Sequence, residues 1–389
     1  MSTKPRTPES REEHIAFLGT YVPRECGIAT FTKDLIDSVG LLGEFGPARV
    51  ISVNELETIY DYDSRVKRQI RQDYEEDYIQ AAKYVNSSRI NAVNVQHEFG
   101  IYGGESGEYL LSFLRNVNRP VITTLHTVQP DFESKARNVL EEILARSKAI
   151  VVMAKAGKNI LKKYNSPNDK ISVVQHGCPD IPFVASDSVK PSLGLKGRIV
   201  LSTFGLMNAG KGIEYVLQAL PPLVEKYLNI LYLVIGETHP EVRKIEGETY
   251  RVNLIKLVEK LGLKNHVRFH NRFLTKRELI KYLQATDIYI TPYLGANQIS
   301  SGTLVYALGA GRAVVSTPYL HAKEVLSHGR GLLCEFRNPD SITIEVKKLL
   351  ENKELRRDME KKVYKYSRGF TWPKVAKKYA DIFKQAIHA

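Results

Sequence analysis

Cysteine is scarce: Cys26, Cys178 and Cys334 are the only three in 389 residues. They lie far apart and without metal-site spacing, which argues against a disulfide framework or a zinc site and fits reduced thiols in the cytoplasm. No apolar run approaches membrane-spanning length. Met1 to Glu13 is polar and charged and lacks a signal-peptide core, so no leader is expected. Zinc-finger spacing and RNA-stacking aromatic motifs are missing, and nothing marks a nucleic-acid binder. Neither short-period repeats nor low-complexity tracts occur. Acidic residues are the minority, 43 against 56 lysines and arginines, for a formal charge of +13. That excess suits an anionic substrate or an acidic surface such as the inner face of a membrane. Part of it lies on the stretch Glu354 to Lys362, where acids interleave with bases as on a solvated helix face.

What remains is the composition of an ordinary soluble protein, 43% apolar and 25% charged, in a chain long enough for two cores. Apolar strand-like runs alternate with amphipathic segments throughout. In the first half the strands are expected at 14–21, 48–54, 91–98, 120–127, 149–153 and 171–175, with helical segments at 32–42, 64–86 and 134–146. In the second half strands are expected at 199–204, 230–236, 267–273, 287–292, 313–317 and 331–335. Such alternation predicts α/β architecture with parallel, doubly wound sheets, better divided between two domains than housed in one. The Pro-, Ser-, Asp- and Gly-rich stretch from Cys178 to Gly197 reads as the connector. Ligands of such folds bind outside the carboxyl ends of the strands, so the cleft between two facing domains is the candidate site.

One segment stands out, Ser202-Thr203-Phe204-Gly205-Leu206-Met207-Asn208-Ala209-Gly210-Lys211-Gly212-Ile213. Strand, glycine turn and helix present free N–H groups and a positive helix end to a phosphate, and Lys211 adds a mobile ammonium. Gly205, four residues, Gly210-Lys211 copies the start of a P-loop. Gly212 then stands where a P-loop needs Ser or Thr for magnesium, which weakens the NTPase reading. A second run, Asn297 to Thr303, precedes an apolar helix. Ser300 or Ser301 is its natural N-cap, and the N–H groups of Gly302 and Thr303 offer a second anion site.

In these motifs and their order the chain resembles the retaining glycosyltransferases of family 4, which have the GT-B fold of two facing Rossmann-like domains. The resemblance runs through Pro23 to Phe31, Leu125-His126-Thr127, His176 to Asp180, Gly205 with Lys211-Gly212, Ala285 to Pro292, Ala307 to Val315 and Phe370-Thr371-Trp372. It implies an acceptor-side domain over 1–178, a donor-binding domain over 179–369 and a helix over 370–389 that crosses back to the first domain. It also implies metal-independent hexose transfer with retention, from a nucleoside-diphosphate sugar of the GDP-mannose or UDP-glucose type to a carbohydrate or lipid-linked acceptor. Two departures matter. Leu206 stands where the family places a phosphate-binding arginine. Gln298 and Tyr306 replace the two glutamates, separated by seven residues, that meet the donor sugar and the ribose.

The resemblance assigns His126, Lys211 and Gln298 to the reaction centre. Gly205, Lys211, Gly212, Gly302 and Thr303 form the phosphate cradle, with Arg272 supplying the missing charge. Gln298, Tyr306, Glu237 and Glu324 are the candidates for donor sugar and ribose. Gly27, Arg24, His97, Gly103 and Gly104 are placed on acceptor-side loops. No metal ligands are expected. Two other readings stay open: a retaining phosphorylase that uses inorganic phosphate or a sugar 1-phosphate, and a nucleotide- or sugar-binding protein without turnover.

Overall fold

The computed structural model describes residues 12–55, 58–164 and 167–389; the polar segment 1–11 lies outside them. The first half forms β1 (His14–Gly19), β2 (Arg49–Asn54), β3 (Val66–Arg71), β4 (Ile90–His97), β5 (Val121–Leu125), β6 (Ala149–Val152) and β7 (Ile171–Val173). The second half forms β8 (Ile199–Phe204), β9 (Ile230–Ile235), β10 (Val267–His270), β11 (Ile288–Thr291), β12 (Ala313–Ser316) and β13 (Leu332–Leu333). The strand order is β3-β2-β1-β4-β5-β6-β7 in one sheet and β10-β9-β8-β11-β12-β13 in the other. All pairings are parallel, so both sheets are doubly wound. The central strands are buried almost throughout, as strands covered on both faces must be.

β3 falls within 64–86, expected as one helical segment. Its sequence, VKRQIR, buries only Ile70, because it is an edge strand beside β2. The helix proper starts afterwards, at Glu75–Ser87. In the second half the segment after the glycine turn is broken at Leu220-Pro221 into helices Ile213–Ala219 and Pro221–Lys226. Pro221 has no N–H to continue the first helix but starts the second one well.

The chain passes between the two halves twice, and the two passages are bonded together. The Cys178 N–H donates to the Phe370 carbonyl and the Trp372 N–H donates to the Cys178 carbonyl, each at 3.0 Å. The indole of Trp372 covers Gly177, where a Cβ would come within 2.3 Å of the ring. The final helix, Trp372–His388, then packs on the first sheet and on helix Gly27–Gly40. Its buried stripe of Val375, Ala376, Tyr379, Ala380 and Phe383 has helical spacing. Phe383 meets Phe17 edge-on at 6.0 Å and the Tyr379 hydroxyl lies 3.0 Å from Thr124 Oγ1. Burying a phenylalanine such as Phe383 contributes about 1.5–3 kcal/mol, so this helix holds the C-terminus firmly on the first half.

Candidate functional site

The carboxyl ends of both sheets face one cleft. On the second-domain side, β8 and β9 end in Gly205 and Gly236, at φ +133° and +128°. A Cβ on Gly236 would lie 2.2 Å from the Gly205 carbonyl, so both strand ends need glycine to approach this closely. The turn that follows carries Lys211 on a short 3-10 segment, Ala209–Lys211. Gly212 closes it at φ +62°, with a Cβ-sized space already taken by the Pro292 carbonyl at 2.3 Å.

Lys211 Nζ sits 4.0 Å from the centroid of the Tyr293 ring and makes no ion pair among the described residues. The hydroxyl of the same ring lies 2.6 Å from Thr303 Oγ1. A Cβ placed on Gly205 would be 3.2 Å from Thr303 Cγ2 and 4.0 Å from Lys211 Nζ. Gly205, Lys211 and Thr303 therefore converge on one small space. Thr303 belongs to helix Gly302–Gly309, whose N-cap is Ser301: its Oγ accepts the Leu304 N–H at 3.3 Å. The helix start thus points unspent N–H groups and the positive end of its dipole toward the ammonium.

Helix Gly27–Gly40 approaches from the first domain. Gly27 has open space where a Cβ would project. About two turns further, Asp34 accepts the Tyr306 hydroxyl at 2.5 Å and the Lys276 ammonium at 2.7 Å. Tyr306 is thus a buried tie between the domains rather than a group open to a ribose. Phe31 packs edge-on against His126 and His176, both at 5.0 Å, and against Trp372 at 5.3 Å. His176 in turn lies over Gly302, where a Cβ would come within 2.7 Å of its Nε2.

The orientation of His126 is set by polar side chains inside β4. Asn94 Nδ2 donates to the Ile122 carbonyl at 3.0 Å. Asn94 Oδ1 accepts Gln96 Nε2 at 2.5 Å, which leaves Gln96 Oε1 to face His126 Nε2 at 2.9 Å. The carbonyl at the start of this chain orients both amides, so Nε2 carries the imidazole proton and Nδ1 is left as an acceptor. Burial, with smaller contributions from His176 and His97, pushes the His126 pKa down to about 3. The ring is neutral at physiological pH. Asn94 and Gln96 were not singled out in the sequence. Their signal is polar side chains at alternate positions of a buried strand, which need partners.

Several expected site residues are committed elsewhere. Arg24 is buried rather than solvated; it donates to the Val53 carbonyl at 3.1 Å and pairs with Glu55 at 3.1 Å. Glu55 also takes Lys244 from the second domain, a tie across the cleft mouth. His97 belongs to the core rather than to an acceptor-facing loop. It is stacked with Tyr102 and edge-on to Phe99, and burial drives its pKa to about 3. Gly103 is packed against the Gln72 carbonyl, and Gly104 against Glu108 and Tyr109, so the glycines serve close packing. Glu324 does not face the donor side: its carboxylate accepts the N–H groups of Lys155 at 3.1 Å and Ala156 at 3.2 Å, at the start of a first-domain helix, Lys155–Leu161. Arg272 is exposed and paired with Glu278 at 2.7 Å. Glu237 accepts the Phe273 N–H at 2.9 Å and pairs with Arg243 at 3.1 Å. Gln298 donates to the Ser300 carbonyl at 2.7 Å and shapes the loop before Gly302. Among the described residues no group of three or more His, Cys, Asp or Glu is arranged to hold a metal, and no helix is long and apolar enough to cross a membrane.

Residues 186–366 match the family described as glycosyl transferases group 1. An uncharacterised glycosyltransferase of Methanocaldococcus jannaschii is 28% identical over 255 residues, 63% of this chain and 60% of that protein. The chain spans 52% and 65% of two further curated relatives, so these matches cover part of each protein. Among solved structures, Anabaena HepE in complex with UDP and glucose superposes with a TM-score of 0.76 at 13% identity, over 96% of this chain and 100% of that one. Sucrose-phosphate synthase from Thermosynechococcus elongatus gives a TM-score of 0.77 at 15% identity, over 96% and 99%. The chain has the GT-B fold of these two-domain proteins, and the part of it that matches the glycosyl transferases group 1 family, residues 186–366, lies in the second half.

Proposed function

We propose that the protein transfers a hexose from a nucleoside-diphosphate sugar to a hydroxyl acceptor with retention at the anomeric carbon. The observation that carries this is the convergence of Lys211, Gly205 and Thr303 on a space at the start of helix Gly302–Gly309. A diphosphate leaving group gathers charge as the glycosidic bond breaks. An ammonium and fixed N–H dipoles stabilise that charge most where water is excluded. The UDP bound by HepE, a protein of the same fold, supports the donor class. Neutral His126, with Nδ1 as an acceptor, is the first-domain group we assign to a donor-sugar hydroxyl. Gln298 and Glu237 border the donor from the second domain.

A second reading, a phosphorylase that uses inorganic phosphate, is favoured by one feature. Tyr306 puts no carboxylate on helix Gly302–Gly309 for a ribose, and its hydroxyl is bound to Asp34.

Thermal-shift measurements against nucleoside diphosphates and their sugars separate the two. A nucleotide at one hundred times its dissociation constant should stabilise the protein by about 2.7 kcal/mol. Product NMR then reads the anomeric configuration. Stabilisation by phosphate and sugar 1-phosphate, with none by any nucleoside diphosphate, replaces the transferase reading with the phosphorylase.

A further inference from the structure

The first-domain wall of the cleft carries a carboxylate that the reaction described above does not use. β4 and β5 pair His97 with Leu125, so Glu98 and His126 follow side by side at the strand ends. Glu98 Oε1 accepts the Phe99 N–H at 3.0 Å and Oε2 accepts the Thr127 hydroxyl at 2.6 Å. An ionised carboxylate has about four acceptor positions, so two remain. Among the described residues no lysine or arginine pairs with Glu98, and burial pushes its pKa up. A half-buried carboxylate without a counter-cation at a strand end of a cleft is costly to fold and is commonly retained for a ligand.

Its surroundings are aromatic. The half-buried rings of Phe99 and Phe132 lie 4.8 Å apart, and Tyr164 continues the row 6.2 Å from Phe132. At the start of helix Ser134–Arg146, Lys135 pairs with Glu108 at 2.5 Å, and Arg137 lies over the Tyr164 ring at 4.9 Å with Glu141 3.8 Å away. Among the described residues, then, the Lys211 ammonium on the second-domain side and the Glu98 carboxylate on the first-domain side each lack an oppositely charged partner.

We infer that Glu98, with the rings of Phe99 and Phe132, forms the acceptor subsite and that it takes an uncharged sugar or polyol rather than a sugar phosphate. The inference rests on the glycosyl-transfer reading above. The free lone pairs of Glu98 accept acceptor hydroxyls, the rings cover the apolar face of a pyranose, and the carboxylate repels a phosphate. Pockets of this kind, mostly aromatic with a few placed polar groups, are typical of small-molecule sites.

The test is saturation-transfer NMR of the full chain with UDP present. The probes are methyl glucoside, methyl mannoside and methyl galactoside on one side and the corresponding hexose 6-phosphates on the other. At least one methyl hexoside should bind more tightly than its phosphate. Glu98→Gln should shift that preference at least tenfold toward the phosphate, which loss of a structural contact alone would not do. Phe132→Leu, at a partly exposed ring, should weaken the methyl hexoside without changing the UDP thermal shift, and it stands in if Glu98→Gln fails to fold. Tighter binding of the hexose phosphates by the unaltered protein, no methyl hexoside bound at all, or an unchanged preference in Glu98→Gln overturns the assignment. Absence of a UDP or other nucleotide shift in the unaltered protein is a separate failure, that of the transferase reading.

Discussion

Buried histidines make the protein acid-sensitive in a calculable way. Burial pushes His97 and His321 down to about 3 and His176 to about 4. Among the described residues no hydrogen-bond partner reaches either ring nitrogen of His97 or of His321, so no contact there rewards protonation. In the unfolded chain each titrates near its ordinary value of about 6.5. Above that value neither state binds the proton and these groups leave stability unchanged. Below it the unfolded chain takes up protons that the folded state refuses, so stability falls as pH drops from about 6.5 toward the folded values. At pH 5 the loss is about 2 kcal/mol per histidine, or about 6 kcal/mol for these three and about 8 kcal/mol with His126, also held near 3, set against a total stability of about 5–15 kcal/mol. The figure at pH 5 hardly depends on how far below 5 the folded values lie. Urea unfolding at pH 7 and pH 5 measures it, and His97→Phe isolates one contribution. Its neighbours Phe99 and Tyr102 already form an aromatic surround, so the variant should fold at pH 7 and lose about 2 kcal/mol less than the parent on acidification. If His97→Phe shows the same pH dependence as the parent, the buried-neutral account of this residue is refuted.

Tyr306→Phe removes a hydrogen bond to a charged acceptor and should cost about 1.5–3 kcal/mol in urea unfolding. Combined with Asp34→Asn it should cost less than the sum of the single changes, whereas additivity would show that the two groups do not interact. Gly212→Ala puts a methyl against the Pro292 carbonyl at a positive φ. It should cost more than the 1–2 kcal/mol of left-handed strain alone and should also weaken nucleotide binding; a melting temperature equal to the parent's would contradict the geometry. Glu324→Gln weakens the acceptor at the start of helix Lys155–Leu161. A loss of up to about 1 kcal/mol is expected, with nucleotide affinity unchanged, and a large fall in that affinity would return Glu324 to the donor site.

Much of the architecture is legible because a strand buried on both faces is a continuous apolar run. All six strands of the second sheet fall within their expected segments, and helix Ser134–Arg146 matches its expected bounds. β3 is not legible because an edge strand with one buried residue, Ile70, leaves no such run. The glycine turn with Lys211 and the Ser301 cap could be read locally, since strand, turn and cap are neighbours in sequence. What escaped is long-range. Asp34 meets Tyr306 and Lys276, Glu324 meets Lys155, and Glu55 meets Lys244, each pair joining the two domains. A charged residue in a loop looks the same in sequence whether it awaits a ligand or ties the domains together. Glu55, which takes both Arg24 and Lys244, shows that ambiguity. The Asn94–Gln96–His126 chain left a fainter trace, polar residues inside an apolar strand.

The central claim is that Lys211 and the start of helix Gly302–Gly309 grip the diphosphate of an activated sugar. Calorimetric titration with UDP, GDP and their sugars, on the unaltered protein and on Lys211→Ala, tests it most directly. A charge-assisted contact of about 1.5–3 kcal/mol predicts a roughly 10- to 150-fold loss of affinity in the variant. An equal affinity in both proteins, or no binding of any nucleoside diphosphate by the unaltered protein, would contradict the account.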